Sequence, residues 1–126
     1  MKVVCTICSK HKNEDTNLLP ARLRYTSPHI QTTEKIAKEL KLPFYILSGK
    51  YGLISANEMI PDYDQYLEED KVDSLAQTIA DQLRESNITE LDFYTEAKPR
   101  WAPYEAALIK GTDMAGAVVV IYSLDM

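Results

Sequence analysis

Two rhythms of apolar residues organise this 126-residue chain. Short unbroken apolar runs alternate with stretches in which apolar positions return every three or four residues. The runs lie at 2–8, 44–47, 91–95 and 117–123, and residues of high strand propensity dominate them. Between them, Ile30, Ile36, Ala37 and Leu40 share one face of a predicted helix over 28–40, ended by Lys41-Leu42-Pro43. Val72, Leu75, Ala76, Ile79, Ala80 and Leu83 do the same over 69–85, with Asn87 as a C-terminal cap. Pro103 opens a third predicted helix that runs to Ile109 and stops at Gly111. Residues 18–25 read as a short helix or turn interrupted by Pro20, and 54–64 as an ordered excursion without a clear period.

Strands alternating with helices predict an α/β fold. The expectation is a single three-layer domain, with a mainly parallel sheet of four or slightly more strands and helices on its faces. The run at 117–123 is apolar almost throughout, the pattern of a strand covered on both faces.

Composition narrows the function classes. A net charge of -5 argues against duplex nucleic acid as a general partner, because neutralising phosphates takes a basic surface. Lys2, Lys10, His11, Lys12, Arg22 and Arg24 nevertheless crowd the first 24 residues, either as a local basic patch or as solvated charges. No apolar run approaches the roughly 20 residues that span a bilayer, and no secretion signal is evident, so no membrane association and a cytoplasmic location are expected. Cys5 and Cys8 have Cys-x-x-Cys spacing, but with His11 and His29 as the only histidines a zinc site is poorly supplied. Cys5 falls inside a predicted strand and reads as a buried structural thiol. Neither a metal nor a cofactor is expected.

The candidate chemistry lies where the strands end. In a parallel sheet the carboxyl ends share one edge, which is where α/β proteins hold ligands. That edge collects Ser9, Lys10 and His11 from the first strand, and Ser48, Gly49, Lys50, Tyr51 and Gly52 from the second. It collects Thr95, Glu96 and Lys98 from the third, and Ser123 and Asp125 from the fourth. The Ser48–Gly52 loop places a cation and two hydroxyls on a permissive backbone, without the spacing of a phosphate-binding P-loop. Asp62, Tyr63 and Asp64 add two carboxylates, and Tyr25 and Ser27 precede a helix whose N-terminus can face an anion. Ser27 is equally an ordinary N-cap, and Trp101 either a stacking wall or packing at the sheet edge.

Three segments carry a family resemblance. Cys5, Ser9 and Lys10 follow a Cys-x-x-Ser-Lys strand end with one extra residue. Tyr25, Ser27 and Pro28 form a Tyr-x-Ser-Pro segment. Residues 47–53 read Leu-Ser-(Ala/Gly)-Lys-Tyr-Gly-Leu, followed by Pro61, Tyr63 and Asp64, with Asp62 interrupting a strict Pro-Tyr-Asp. Together they resemble a family of small, mostly uncharacterised bacterial and phage proteins, distantly similar to YaaA-like peroxide stress proteins. The resemblance implies an α/β domain with a site built from these motifs.

The leading expectation is a domain that binds a small ligand of nucleotide, nucleoside or nucleobase type, with hydrolase or N-glycosidase chemistry as the candidate reaction. Ser48 and Asp64 are the candidate catalytic residues. Ser9, Lys10, Tyr25, Ser27, Gly49, Lys50, Tyr51, Gly52 and Tyr63 are the candidate ligand contacts. The alternative is a non-enzymatic module that binds a protein or nucleic acid.

Overall fold

The computed structural model describes residues 1–63 and 69–124. One five-stranded sheet forms the centre, in the order β4-β3-β1-β6-β7. Its members are β1 (Lys2–Ile7), β3 (Phe44–Ser48), β4 (Gly52–Ser55), β6 (Glu90–Thr95) and β7 (Val118–Ser123). The four apolar runs of the sequence are its parallel strands, with β1 flanked by β3 and β6, and β7 beyond β6. β4 is an antiparallel addition that folds back on β3 through the turn at residues 49–51. A separate two-residue ladder joins β2 (Leu19–Pro20) to β5 (Met59–Ile60).

The helices are α1 (Ala21–Arg24), α2 (Pro28–Leu40), α3 (Val72–Glu85) and α4 (Ala102–Ala115). From β1 the crossover through α2 moves one way along the sheet, and from β6 the crossover through α4 moves the other way. Right-handed connections then place the two helices on opposite faces. α3 packs along α4, giving the three layers the sequence predicts. The core joins Val3, Cys5 and Ile7 of β1 to Leu91 and Phe93 of β6 and to Leu75, Ile79, Leu83 and Leu108 of the helices. Among the described residues no helix is long and apolar enough to cross a membrane.

Three local expectations change. Gly111 does not end the last helix, which continues to Ala115 and turns off at Gly116, where φ is +70°. Gly111 is instead the contact point of α4 with α3: an added Cβ would meet Ile79 Cγ2 at 2.8 Å and the Ala76 carbonyl oxygen at 2.9 Å. The stretch after the glycine loop is not an aperiodic excursion, since it holds β4 and β5. Nor is β7 covered on both faces. It is an edge strand, with Val118, Val120, Ile121 and Tyr122 all more than two-fifths exposed. A continuous apolar run has the signature of a buried strand but does not prove burial.

Gly111→Ala should lower stability by about 1–3 kcal/mol, because overpacking a tight helix contact outweighs the gain in helix propensity. Urea denaturation checks this, and an unchanged or higher midpoint would show that α3 and α4 can separate freely.

Candidate functional site

The segment after β1 is held in place by a buried cation. Arg24, at the end of α1, is fully buried. Its Nη1 donates to the carbonyls of Asn13 (2.6 Å) and Asp15 (2.9 Å), and its Nη2 to those of Asn17 (2.6 Å) and Ile60 (3.2 Å). The Asn13 and Asp15 side chains accept from the backbone two residues on, so the segment turns tightly around the guanidinium. Asn13 N donates to Arg24 O (2.7 Å) and Thr26 N to His11 O (3.0 Å), while Lys12 and Tyr25 form an antiparallel bridge. Residues 10–13 therefore lie fixed beside 24–26, at the carboxyl edge of the sheet.

Across that edge, the β3–β4 turn is closed from within. Ser48 Oγ accepts from Lys50 N and Tyr51 N, both at 3.1 Å, and bonds Tyr63 Oη at 3.0 Å. Tyr63 Oη bonds Tyr25 Oη in turn. Gly52 has φ +76°, and an added Cβ would meet Gln82 Oε1 at 2.5 Å. Only glycine suits both demands. Burial raises both tyrosines, Tyr63 to about 12 and Tyr25 further, so both stay neutral across the physiological range. The Nζ of Lys12 lies 4.9 Å from the Tyr63 ring centre and that of Lys50 5.4 Å. These cations face a neutral ring rather than a phenolate.

The third component follows β6. Arg100 Nη2 donates to Cys8 O (3.2 Å), its guanidinium lies over Tyr104, and its buried Nε has no hydrogen-bond partner among the described residues. Lys98 pairs with Glu96 at 2.5 Å. Beside them α2 begins, with Ser27 as N-cap making no side-chain capping bond and with no acidic residue in the first turn. His29 Nε2 bonds Ile7 O (2.9 Å), its ring in edge contact with Trp101. Burial holds the His29 imidazole below its ordinary value.

Among the described residues, two cavities lie at this edge. One, of about 410 Å³, is lined by Lys10, His11, Ser27, Lys98 and Arg100 among others. The other, of about 370 Å³, is lined by Lys10, Lys12, Glu14, Asp62 and Tyr63. Lys10 borders both. A further cavity of about 360 Å³, lined by Arg22, Glu34, Phe44 and Ser55 among others, opens where β3 begins, away from the strand exits.

The structure thus gathers Lys10, Ser27, Tyr63 and the Ser48–Gly52 turn at one edge. Ser9 and Ser48 are buried there and bonded internally, Ser9 to the His11 carbonyl, so they build the walls. Tyr25 is likewise buried, Gly49 and Tyr51 are half-buried, and Lys50 is exposed. Trp101 is buried packing. Asp64 and Asp125 lie outside the described residues. Sequence reasoning missed Arg100, for which a cation two residues past the strand-exit Lys98 was the available signal. It also missed the role of Arg24, which nothing in the sequence marks as buried.

A family model, DUF6884, a family of unknown function, matches residues 3–120, and the chain belongs to that family. No match is found among curated proteins or among solved structures.

Arg24→Met should cost about 3–5 kcal/mol, because four carbonyls lose a charged donor inside the protein. Arg24→Lys should recover part of it. Chemical denaturation of both variants tests this, and a loss below about 1 kcal/mol would contradict the assignment. His29 carries a pH dependence. Unfolded, it takes up a proton below its ordinary 6.5, whereas the folded protein resists until its lowered value is reached. Its contribution to stability is complete above 6.5 and is lost as pH falls through the folded value. His29→Gln should flatten the fall in stability below pH 6.5 relative to the parent chain, and parallel curves would refute this.

Proposed function

We propose that this DUF6884 member binds a small anionic ligand of nucleotide type in the cleft at the carboxyl ends of its parallel strands. One observation carries the reading: Lys10, Lys98 and Arg100 converge on the N-terminus of α2 around one cavity. Lys10 and Arg100, at the positive end of a helix, repel one another and the helix dipole. Glu96, the carboxylate among the lining residues, is already paired with Lys98. An anion in the cavity relieves that repulsion and gives the Arg100 fork an acceptor. In a chain of net charge -5 this concentration of positive charge favours a specific anion over a general polyanion surface.

The neighbouring cavity supports the nucleotide class. There Glu14 and Asp62 offer acceptors for ligand hydroxyls and Tyr63 an aromatic wall, with Lys10 between the two halves. Lys50 and Tyr51 rim the same edge. The YaaA-like resemblance belongs to this reading. So does a hydrolase or N-glycosidase reaction, in which Asp64 would act as acid or base. The double backbone capping of Ser48 favours a role in holding the turn over one as nucleophile.

Calorimetric titration with nucleoside monophosphates, the matching nucleosides and inorganic phosphate tests the reading. The monophosphates should bind more tightly than the nucleosides. Lys10→Ala and Arg100→Ala should each weaken monophosphate binding by about 10–150-fold, the loss of one charge-assisted hydrogen bond. Lys50→Ala should weaken binding with a stability change within about 0.5 kcal/mol. Equal affinity for nucleoside and monophosphate, or unchanged affinity in the Lys10 and Arg100 variants, would defeat the reading.

A further inference from the structure

The sheet has two edges, β4 and β7, and the chain treats them differently. At β4 the Gln82 side chain of α3 occupies the place of a neighbouring strand. Its Nε2 donates to Tyr51 O (2.9 Å), and its Oε1 accepts from Leu53 N (2.7 Å). Among the described residues β7 carries none of the sequence features that blunt an edge. Val118-Val-Val-Ile-Tyr-Ser123 contains no charge and no proline, and it pairs residue for residue with β6 without a bulge.

The backbone direction of β7 is set at its ends. Val118 N donates to Thr89 O (2.9 Å) and Leu124 N to Thr95 O (2.7 Å). By alternation the backbone groups of Val118, Val120 and Tyr122 turn toward β6, and those of Val119 and Ile121 turn outward. Side chains on both faces of the strand are open. Val118 (58%), Val120 (44%) and Tyr122 (42%) lie on one face, and Ile121 (43%) on the other. The face bearing Val120 is the one on which α2 covers β1 and β3 but stops short of β7.

We propose that two copies of this chain join edge to edge through antiparallel β7–β7 pairing about a two-fold axis at Val120, doubling the five-stranded sheet. Val119 of each copy then exchanges backbone hydrogen bonds with Ile121 of the other. Val118 faces Tyr122, and Val120 faces its own copy. Every opposed pair is uncharged, so self-pairing meets no like-charge penalty. A second copy is the fitting occupant because Gln82 and α3 block the other edge. A β7–β7 joint closes at two, whereas β7–β4 growth into a fibre is obstructed. The joint is short, at the low end of specific interfaces below about 1,200 Å² in total, so a Kd in the micromolar range is expected.

Sedimentation velocity of the intact chain from about 1 to 300 μM tests this. The mass should rise from that of the 14.3 kDa chain to twice that value and stop there. Val120→Lys, which sets two ammonium groups against each other on the axis, should raise the Kd by about tenfold or more. Val120→Thr should leave it nearly unchanged. Amide exchange at Val119 and Ile121 of the parent chain should slow as concentration rises, a readout that survives if the lysine variant fails to fold. A monomer throughout would overturn the proposal. So would a dimer indifferent to Val120→Lys, growth beyond two copies, or amides at 119 and 121 that ignore concentration.

Discussion

The candidate site rests on a guanidinium that never meets water. Arg24 is fully buried, and its hydrogen-bond acceptors are four backbone carbonyls from two separate segments. Carbonyls around a buried cation must be held in position, or the cost of removing the charge from water is not offset. Residues 13–17 therefore have one conformation, and through it residues 10–13 lie along 24–26. The same constraint anchors Ile60 beside Leu19 and so directs the chain to Tyr63. A small interior interaction thus sets where Lys10, Lys12 and Tyr63 stand, although none of them touches it.

This scaffold leaves the edge electrostatically unbalanced. Apart from Lys98, which Glu96 pairs, the cations in the Ser27 cavity meet only neutral groups among its described lining residues. Tyr63 and Tyr25 are held protonated by burial, His29 is neutral at physiological pH for the same reason, and Glu96 is committed to Lys98. Ser9 and Ser48 spend their hydroxyls on their own loops. Positive charge accumulates at a helix N-terminus whose capping residue makes no side-chain bond. A protein under no functional demand would gain from a carboxylate in that first turn. Its absence supports the proposed anionic ligand more than any single motif does.

The layers were legible in the sequence because periodicity reports which face of an element is buried. The 28–40 helix is observed with those bounds, and all four apolar runs pair parallel to one another within one mixed sheet. The shared edge followed from topology, since parallel strands end on one side. The rest depended on contacts between distant residues. Gly111 reads locally as a helix stop, yet it is a packing notch for Ile79 and Ala76. Arg24 reads as surface charge, because only the carbonyls of a folded loop make burial tolerable. β4 escaped notice because Gly52–Ser55 is short and begins with the glycine that the turn requires.

The misreading of β7 shows how far pattern reasoning extends. An apolar run states that burying the segment would be favourable. It does not state that the same chain supplies the cover. In β1 the cover comes from flanking strands and from helices on both faces, and Val3, Val4 and Cys5 are fully buried. In β7 an equally apolar sequence has β6 on one side and, among the described residues, no strand on the other. Selection against edge-to-edge association normally leaves a lysine, a proline or a bulge in such a strand. The opposite edge of this sheet shows that the fold can close an edge with one glutamine. The contrast between a capped β4 and an uncharged β7 is the observation on which the proposed edge-to-edge pairing rests.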